Sequence, residues 1–147
     1  MQKHGIICAL GIFLALTLSF KDSFAQNAPL EIDLTGLRNE KGHVLVSLFR
    51  ADVGFPDDPT KAIQKQRVAI NKDKAVVKFD SIPNGVYAVA VLHDEDDDMK
   101  MDKNFVGIPK EGYGFSNNAI RLTGPPSFKE ASFDHKNTQK IEIKVKY

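Results

Sequence analysis

The sequence predicts an all-β fold: an antiparallel, seven-stranded β-sandwich with one long ordered loop. Three observations lead to this prediction. Apolar side chains recur with a period of two rather than 3.6, which is the spacing of a strand with one dry and one wet face. Clusters of glycine, proline and asparagine separate the short apolar runs. A single short segment has a helical pattern. Either an immunoglobulin-like or a prealbumin-like arrangement accommodates these elements.

Residues 1–25 are predicted to be a secretory signal peptide. Lys3 lies in a short basic start, residues 5–20 form an apolar run, and small residues precede a cleavage site after Ala25. The apolar run is shorter than the roughly 20 residues that a membrane-spanning helix needs, although an uncleaved anchor is the alternative. We therefore expect an exported protein, periplasmic or extracellular, with a single domain over residues 26–147.

Charge and cysteine content narrow the classes of partner. The chain has 20 basic and 19 acidic side chains, and cleavage would remove two lysines and one aspartate, which leaves a net charge of zero. A domain without a basic excess is poorly suited to nucleic acid. The single cysteine, Cys8, would leave with the signal peptide. We expect no nucleic-acid partner, no transmembrane segment after cleavage, and a domain stabilised by its core.

Seven segments are predicted to be strands. Residues 30–34 and 141–145 alternate apolar and polar side chains, as in strands with one buried face. Residues 43–50 and 86–93 are apolar on both faces, as expected of central strands. The other predicted strands are residues 67–70, 75–80 and 127–134.

Turn residues connect these segments. Residues 39–42 (NEKG) predict a tight turn between the first two strands, and residues 71–74 (NKDK) predict another. Residues 82–85 (IPNG) combine the fixed φ of proline with the permissive backbone of asparagine and glycine. Pro59 suits the first turn of one short helix, and Asp58 is placed to cap it.

Residues 94–126 form a long connection with little periodicity. Loops of this length in a compact domain are usually functional or disordered. Disordered segments lack aromatic residues, whereas this one contains Phe105, Tyr113 and Phe115, together with Ile108. We expect an ordered loop whose aromatic residues pack on one end of the sandwich. An aromatic platform for a sugar or a peptide is the alternative.

The loop begins with a dense acidic stretch, HDEDDDMKMD. Asp94, Asp96, Asp98, Lys100 and Asp102 occupy positions 1, 3, 5, 7 and 9 of a calcium-loop template. The template takes side-chain oxygens at positions 1, 3, 5 and 9 and a backbone carbonyl at position 7, so a lysine is acceptable there. These five residues are the predicted metal ligands, and calcium is the predicted cofactor.

Two positions depart from the template. Met99 replaces the glycine of position 6, and Phe105 replaces the bidentate glutamate of position 12. An ion would therefore need a later ligand, for which Asn104 and Glu111 are the candidates. The alternative is a solvated acidic hairpin whose charge is softened by neighbouring lysines.

The long loop also carries a family resemblance. HDEDDDMKMDKNFVGIPKEGYGFSNNA resembles the most characteristic stretch of a bacterial secreted family, Domain of Unknown Function 2141, in which glycine usually stands at the position of Met99. The resemblance extends from about Leu30 to Tyr147. It implies a small secreted β-sandwich of the bacterial envelope and implies no activity. The residues that carry it are 93–119, supported by 55–63, 82–94 and 125–133.

Two classes of function follow from these observations. The first is a secreted, non-catalytic envelope module, stabilised by calcium through the acidic loop, with an envelope protein or a carbohydrate as its partner. The second is a small periplasmic hydrolase or lyase that uses His93 and nearby acids, although no catalytic residue can be assigned. His43 and His135 stand alone in the sequence and are expected at the surface.

Overall fold

The structure is a computed structural model that describes residues 27–137 and 139–147, so the predicted signal peptide lies outside the described residues. Eight strands and one short α-helix occupy the described part of the chain, where seven strands were predicted. The described residues contain no helix with the length and apolarity to cross a bilayer. The elements are β1 (Asn27–Thr35), β2 (His43–Phe49), β3 (Gln64–Val68), β4 (Lys74–Pro83), β5 (Gly85–Asp94), β6 (Gly112–Phe115), α1 (Phe128–Ala131), β7 (Phe133–His135) and β8 (Gln139–Lys144).

The strands form two sheets that pack face to face, which confirms the β-sandwich. The smaller sheet has the order β4-β1-β8, and the larger has the order β3-β2-β5-β6, with β7 also paired to β5. All pairs are antiparallel except β1 with β8, which run parallel. β6 pairs with the second half of β5 and β7 with its first residues, so both short strands follow the same long strand.

The core lies between the two sheets and follows the predicted alternation. Leu30, Ile32 and Leu34 of β1 are fully buried, and the residues between them are half-buried. Fully burying a side chain of this size stabilises the fold by about 1.5–3 kcal/mol. The core side chains of the neighbouring and opposing strands are Val44, Val46, Leu48, Ala75, Val77, Phe79, Val89, Val91 and Ile143.

The connection between β1 and β2 differs from the prediction. It crosses from one sheet to the other, so residues 39–42 do not close a hairpin between paired strands. Gly42 has a φ of 59°, and a β-carbon there would lie 1.8 Å from the carbonyl oxygen of Asp94. Residues 71–74 do form the predicted tight turn, closed by a bridge between Asn71 and Lys74. They likewise join strands of different sheets.

The predicted short helix is confirmed as a single 3-10 turn at Pro59–Lys61. Proline occupies its first position, and a carboxylate oxygen of Asp58 accepts a hydrogen bond from the backbone N–H of Thr60 at 3.0 Å. β3 begins three residues earlier than expected, at Gln64.

The predicted strand over residues 127–134 is wrong for its first half. Residues 128–131 form α1, and only Phe133–His135 are extended. Ser127 and Glu130 make a capping box, in which each side chain accepts a hydrogen bond from the backbone N–H of the other residue. These bonds satisfy N–H groups that would otherwise lack partners at the helix start. Ala131 is fully buried and anchors the turn.

The middle of the long connection contains a strand, which was not predicted. Residues 112–115 form β6, so the irregular part is confined to residues 95–111 and 119–127. Phe115 is buried in a second apolar cluster with Phe55 and Phe128, and the rings of Tyr113 and Phe115 lie 6.0 Å apart. Phe105 is instead fully exposed. The expectation that all the loop aromatics pack on the sandwich is therefore wrong for Phe105.

Candidate metal site

The acidic loop begins where β5 ends. Asp94 is the last residue of that strand and is fully buried, although it carries a carboxylate. The backbone of Gly42 passes directly beneath its carbonyl group, as the 1.8 Å approach of a hypothetical β-carbon shows. The start of the loop is therefore held against the neighbouring strand β2, with no room for a larger residue at position 42.

The acids at even and odd template positions have different partners. At position 2, Glu95 pairs with the guanidinium of Arg38 at 2.7 Å. At position 4, Asp97 contacts Arg67 and the Nδ1 atom of His43, each at 2.8 Å. These two carboxylates therefore bind cations of the sandwich.

The ion pairs lower the pKa of both carboxyl groups. Burial alone would raise the pKa of Glu95, but hydrogen bonds from Arg38 and Asn39 outweigh it and bring the pKa below its ordinary value. Hydrogen bonds from His43 and Arg67 lower the pKa of Asp97. Both groups are consequently ionised in the folded protein at neutral pH, and their charge is matched locally.

Asp94 organises the first bend of the loop. Its Oδ1 atom accepts a hydrogen bond from the N–H of Asp98 at 3.2 Å, and its Oδ2 atom accepts one from the N–H of Met99 at 3.0 Å. Asp97 and Met99 have φ angles of 61° and 65°. Met99 thus adopts the left-handed conformation that glycine provides in the template, at a cost of roughly 1–2 kcal/mol. The bend exists despite the substitution.

Glu111 joins the two ends of the acidic stretch. This residue is buried just before β6, and both of its oxygens accept backbone hydrogen bonds. Oε1 accepts from the N–H of Glu95 at 2.7 Å, and Oε2 accepts from the N–H of Asp102 at 3.1 Å. Asn104, the other late candidate, uses its oxygen within its own turn, where it accepts from Val106 and Ile108.

The remaining carboxylates converge in two groups that share Asp96. One group is Asp94, Asp96 and Glu111, and the other is Asp96, Asp98 and Asp102; within each, one oxygen per residue lies within 4.8 Å of the others. Calcium binds oxygen at about 2.3–2.6 Å, so oxygens on opposite sides of one ion are separated by about 4.6–5.2 Å. Either group has a spacing that could hold a metal ion.

The same carboxylates lack matching positive charge in the described residues. Within residues 27–137 and 139–147, the ion pairs involve none of Asp94, Asp96, Asp98, Asp102 and Glu111. Two carboxylates 4.8 Å apart repel by about 0.9 kcal/mol in bulk water and by about 3.5 kcal/mol at an effective dielectric constant of about 20. A bound dication would convert this repulsion into attraction.

Lys100 is the fifth predicted ligand, through its backbone carbonyl. Its N–H donates a hydrogen bond to Oδ1 of Asp98 at 2.7 Å. This bond holds residue 100 against the acidic turn. The side chain of Lys100 is exposed, so it does not neutralise the buried carboxylates.

His93, the candidate general acid or base, is enclosed by a hydrogen-bond network. The side chain is fully buried, its Nε2 atom lies 2.9 Å from the carbonyl oxygen of Lys41, and its Nδ1 atom contacts the hydroxyl of Tyr147. A carbonyl only accepts, so Nε2 carries the hydrogen and, in the neutral ring, Nδ1 accepts from the tyrosine. The same hydroxyl accepts from the N–H of Arg38 at 3.1 Å. Both ring nitrogens are therefore occupied.

The two other histidines differ from each other. His43 is partly exposed and pairs with Asp97, which agrees with the expected surface position. The surface position predicted for His135 is wrong, because it is fully buried against Tyr87 and its Nε2 atom lies 3.3 Å from the carbonyl oxygen of Ala28. His135 lies on β7, one residue beyond the end of the strand predicted over residues 127–134.

Several residues that shape the site were not predicted from the sequence. Arg38 and Tyr147 are 109 residues apart in the sequence, and the guanidinium of Arg38 lies 4.4 Å from the centre of the Tyr147 ring. Burial raises the pKa of the Tyr147 hydroxyl, so it stays protonated and able to donate to His93. Neither residue belongs to a local motif, so only the packing of the two sheets brings them together.

Comparison with known proteins gives one match. A family model described as "Uncharacterized protein conserved in bacteria (DUF2141)" matches residues 32–143. The chain belongs to this family. The matched region begins in β1 and ends in β8, so it includes both sheets and the complete acidic loop.

The DUF2141 assignment confirms the resemblance seen in the sequence, and the family description gives no activity. No curated protein and no solved structure shows significant similarity to the chain.

Proposed function

We propose that this DUF2141 protein is an exported, non-catalytic module of the bacterial envelope that binds calcium through its acidic loop. The single observation that carries the proposal is the convergence of Asp94, Asp96 and Glu111, whose carboxylate oxygens lie within 4.8 Å of one another. Two of these three carboxylates are buried. A buried, unpaired charge is costly unless it coordinates a metal or finds a partner.

The donor set favours calcium over other ions. All the side chains offer oxygen, and hard oxygen ligands suit calcium and magnesium, whereas histidine and cysteine suit transition metals. Calcium accepts six to eight oxygens in flexible geometry, while magnesium demands a compact octahedron. Carboxylates from Asp94, Asp96, Asp98, Asp102 and Glu111, with the carbonyl of Lys100, form a set of the right size.

The consequence of calcium binding would be an ordered loop. Without an ion, mutual repulsion of the clustered carboxylates opposes the backbone hydrogen bonds that Asp94 and Glu111 accept. With an ion bound, the attraction of the carboxylates to the cation and these backbone hydrogen bonds would stabilise the same loop conformation. Because Asp96, Asp98 and Asp102 are exposed, we expect a weak affinity, with a Kd of about 10⁻⁴ to 10⁻³ M, as in extracellular modules.

Thermal unfolding with and without calcium tests this proposal. The exported protein is purified and melted in a chelator and in millimolar calcium, together with Asp96→Asn and Asp97→Asn variants. At 100 times Kd, calcium should stabilise the wild type by about 2.7 kcal/mol. Asp96 belongs to both carboxylate groups, so its substitution should abolish most of the gain.

Asp97→Asn is the matched control for this experiment. It removes the same charge from the same loop, but the carboxylate of Asp97 points to His43 and Arg67. The variant should lose some stability in both buffers and keep the calcium increment. If both variants lost the calcium-induced gain in stability equally, or if the wild type showed no such gain, the calcium site would be removed from the proposal.

The contacts of His93 favour the non-catalytic module over the hydrolase or lyase. A general base needs a nitrogen within hydrogen-bond reach of the substrate. Both nitrogens of His93 already bond to protein groups, and its side chain has no exposed surface. Substitution His93→Gln is therefore expected to lower the melting temperature. Loss of an envelope-directed hydrolytic activity at unchanged stability would support the enzyme instead.

Export rests on the pattern of residues 1–25, a basic start, an apolar run and small residues before the cleavage site. Expression in an exporting host followed by intact-mass measurement tests it. The expected product begins at Gln26. A product that retains residues 1–25 and stays with the membrane fraction would support an uncleaved anchor. An envelope protein or a carbohydrate remains the proposed partner.

A further inference from the structure

The strongest unassigned feature is an apolar tip at the end of the hairpin that follows the acidic stretch. The N–H of Lys110 donates to the carbonyl of Asp102 at 2.8 Å, and the N–H of Asn104 donates to the carbonyl of Ile108 at 2.8 Å. Beyond these bonds the chain turns through Gly107, whose φ is 83°. No atom lies within 4 Å of a β-carbon built at Gly107, so the turn projects into open space.

This tip exposes large apolar side chains. Phe105 is 100% exposed, Val106 61% and Ile108 58%, and Met99 in the neighbouring bend is 67% exposed. Contiguous exposed apolar residues on a soluble protein indicate an interaction site more often than chance placement.

Hydrogen bonds within the loop fix the backbone conformation that exposes the tip. Oδ1 of Asn104 accepts hydrogen bonds from the N–H groups of Val106 and Ile108 at 3.0 and 2.9 Å. The N–H of Gly107 donates to the carbonyl of Asn104 at 2.9 Å. These bonds hold the backbone in one conformation that directs the Phe105 side chain outward. A preformed apolar projection avoids the entropic cost of ordering on binding.

The surroundings of the tip indicate what it contacts. Lys100, Lys103 and Lys110 are all exposed around the hairpin. Lys103 and Lys110 flank the apolar residues, and residues 103–110 contain no acid. An apolar projection flanked by lysines is complementary to an anionic phospholipid surface, where aromatic and aliphatic side chains enter the acyl boundary and lysines meet the headgroups.

The dimensions agree with interfacial insertion. Phe105 at the tip lies three positions after Asp102 at the base of the hairpin, which corresponds to at most about 10 Å of extended chain. Interfacial apolar segments enter the headgroup and acyl boundary by roughly 5–10 Å. The tip can therefore insert while the acidic cluster stays at headgroup level.

We infer that the 103–108 hairpin inserts its apolar tip into an anionic phospholipid membrane. The insertion rests on the exposed tip and its lysines alone. Its dependence on calcium rests on the proposed function. Residues 94–111 contain seven acids and three lysines, but residues 103–110 contain two lysines and no acid, so the tip can approach an anionic surface by itself, and calcium at the acidic cluster strengthens binding by removing the repulsion from the acids at the base of the hairpin.

The absence of tryptophan from the chain permits a direct test. Phe105→Trp places a single fluorescent reporter at the tip, and Leu122→Trp places one on another loop, where Leu122 is also fully exposed. Each variant is purified as the complete exported protein. It is then titrated with vesicles of phosphatidylglycerol mixed with phosphatidylcholine, and with vesicles of phosphatidylcholine alone. We expect a blue shift for position 105 on the anionic vesicles and none for position 122.

Substitutions then measure the contribution of each group to vesicle partitioning. Phe105→Ser should weaken partitioning at least about tenfold, the effect of losing a buried aromatic side chain, and Leu122→Ser should leave it unchanged. Lys103→Gln should weaken binding to anionic vesicles by about fivefold. Neither Phe105 nor Lys103 is part of the core, so both variants should fold normally.

The outcomes separate this inference from the proposed function. A calcium-induced rise in melting temperature without any vesicle binding overturns the membrane inference and leaves the calcium site standing. Vesicle binding that is equally strong in chelator and in calcium, with no change of melting temperature on adding calcium, supports the insertion and overturns the calcium site. A concentration-dependent dimer that Phe105→Ser abolishes, without vesicle binding, identifies a second copy as the occupant and overturns the membrane inference.

Discussion

Replacing Glu111 with glutamine removes one charge from the acidic loop while keeping the size of the side chain. In the structure, each carboxylate oxygen accepts one backbone N–H, from Glu95 and from Asp102. Glutamine retains one acceptor oxygen and turns an NH₂ group toward the other donor. One charge-assisted hydrogen bond is lost, which costs about 1.5–3 kcal/mol.

The same substitution relieves electrostatic repulsion. An oxygen of Glu111 lies within 4.8 Å of oxygens of Asp94 and Asp96. Asp96 is exposed, so water screens its repulsion, and the pair with buried Asp94 contributes most, about 3.5 kcal/mol at an effective dielectric constant of about 20. In the presence of a chelator the loss and the relief therefore offset each other, and the free energy of unfolding should change by less than about 2 kcal/mol.

In calcium, the charge of Glu111 attracts the ion, so its loss is expected to reduce the stability gained from calcium. The wild type should gain about 2.7 kcal/mol at 100 times Kd, or roughly 10 °C in melting temperature for a domain of this size. Glu111→Gln should gain less than half as much, because it has lost a ligand oxygen and its charge.

Thermal melts followed by far-ultraviolet circular dichroism, over a calcium titration, measure both quantities. Asp97→Asn is the control, since it removes an equal charge from the same loop outside the cluster. If Glu111→Gln keeps the complete calcium response, Glu111 is not a ligand and the reasoning from oxygen convergence is refuted. A loss of several kcal/mol in chelator would show that the backbone bonds outweigh the repulsion.

Three further predictions concern the scaffold of the site and can be tested by denaturant unfolding. Gly42→Ala should destabilise the fold by about 1–3 kcal/mol and reduce the calcium response, because the new methyl group displaces the Asp94 carbonyl; a neutral effect would contradict the close approach. Ser116→Ala should cost about 1–3 kcal/mol for each of two buried backbone groups left without a partner, while a Ser116→Thr variant that keeps the hydroxyl should cost less. Arg38→Met should destabilise the protein near neutral pH and much less at about pH 3, because the pKa of Glu95 is lowered in the folded state and its contribution, complete above about 4.3, is lost as the pH falls through the folded pKa. An equal cost at both pH values would assign the role of Arg38 to packing.

Much of the fold could be predicted because it depends on local periodicity. The alternation of Leu30, Ile32 and Leu34 requires only neighbouring residues in the chain, and the buried face of β1 follows from it. The cap at Asp58 and the turn at residues 71–74 are equally local. The capping box of α1 is also a local signal, Ser127 followed by Glu130, but the surrounding aromatic residues also suited a strand.

Other features of the fold depend on distant partners. β6 is only four residues long and contains two glycines, so its local preference for a strand is weak. It exists because β5 offers backbone groups along residues 90–93. The parallel pairing of β1 with β8 likewise joins the two ends of the domain. The sequence shows that both are strands, and only the closed sandwich determines that they are neighbours.

Some features of the candidate site are likewise set by the sequence alone, and others by distant partners. The spacing of Asp94, Asp96, Asp98 and Asp102 is a property of the sequence by itself, as are the apolar rhythm and the leader-like pattern of residues 1–25. Tertiary structure alone turns Asp97 toward Arg67, because that arginine lies on a strand thirty residues earlier in the chain. It also brings buried Glu111 back to the start of the loop and leaves Phe105 exposed at the tip. Local residue pattern fixes which side chains are available, whereas sheet packing decides which of their charges meet.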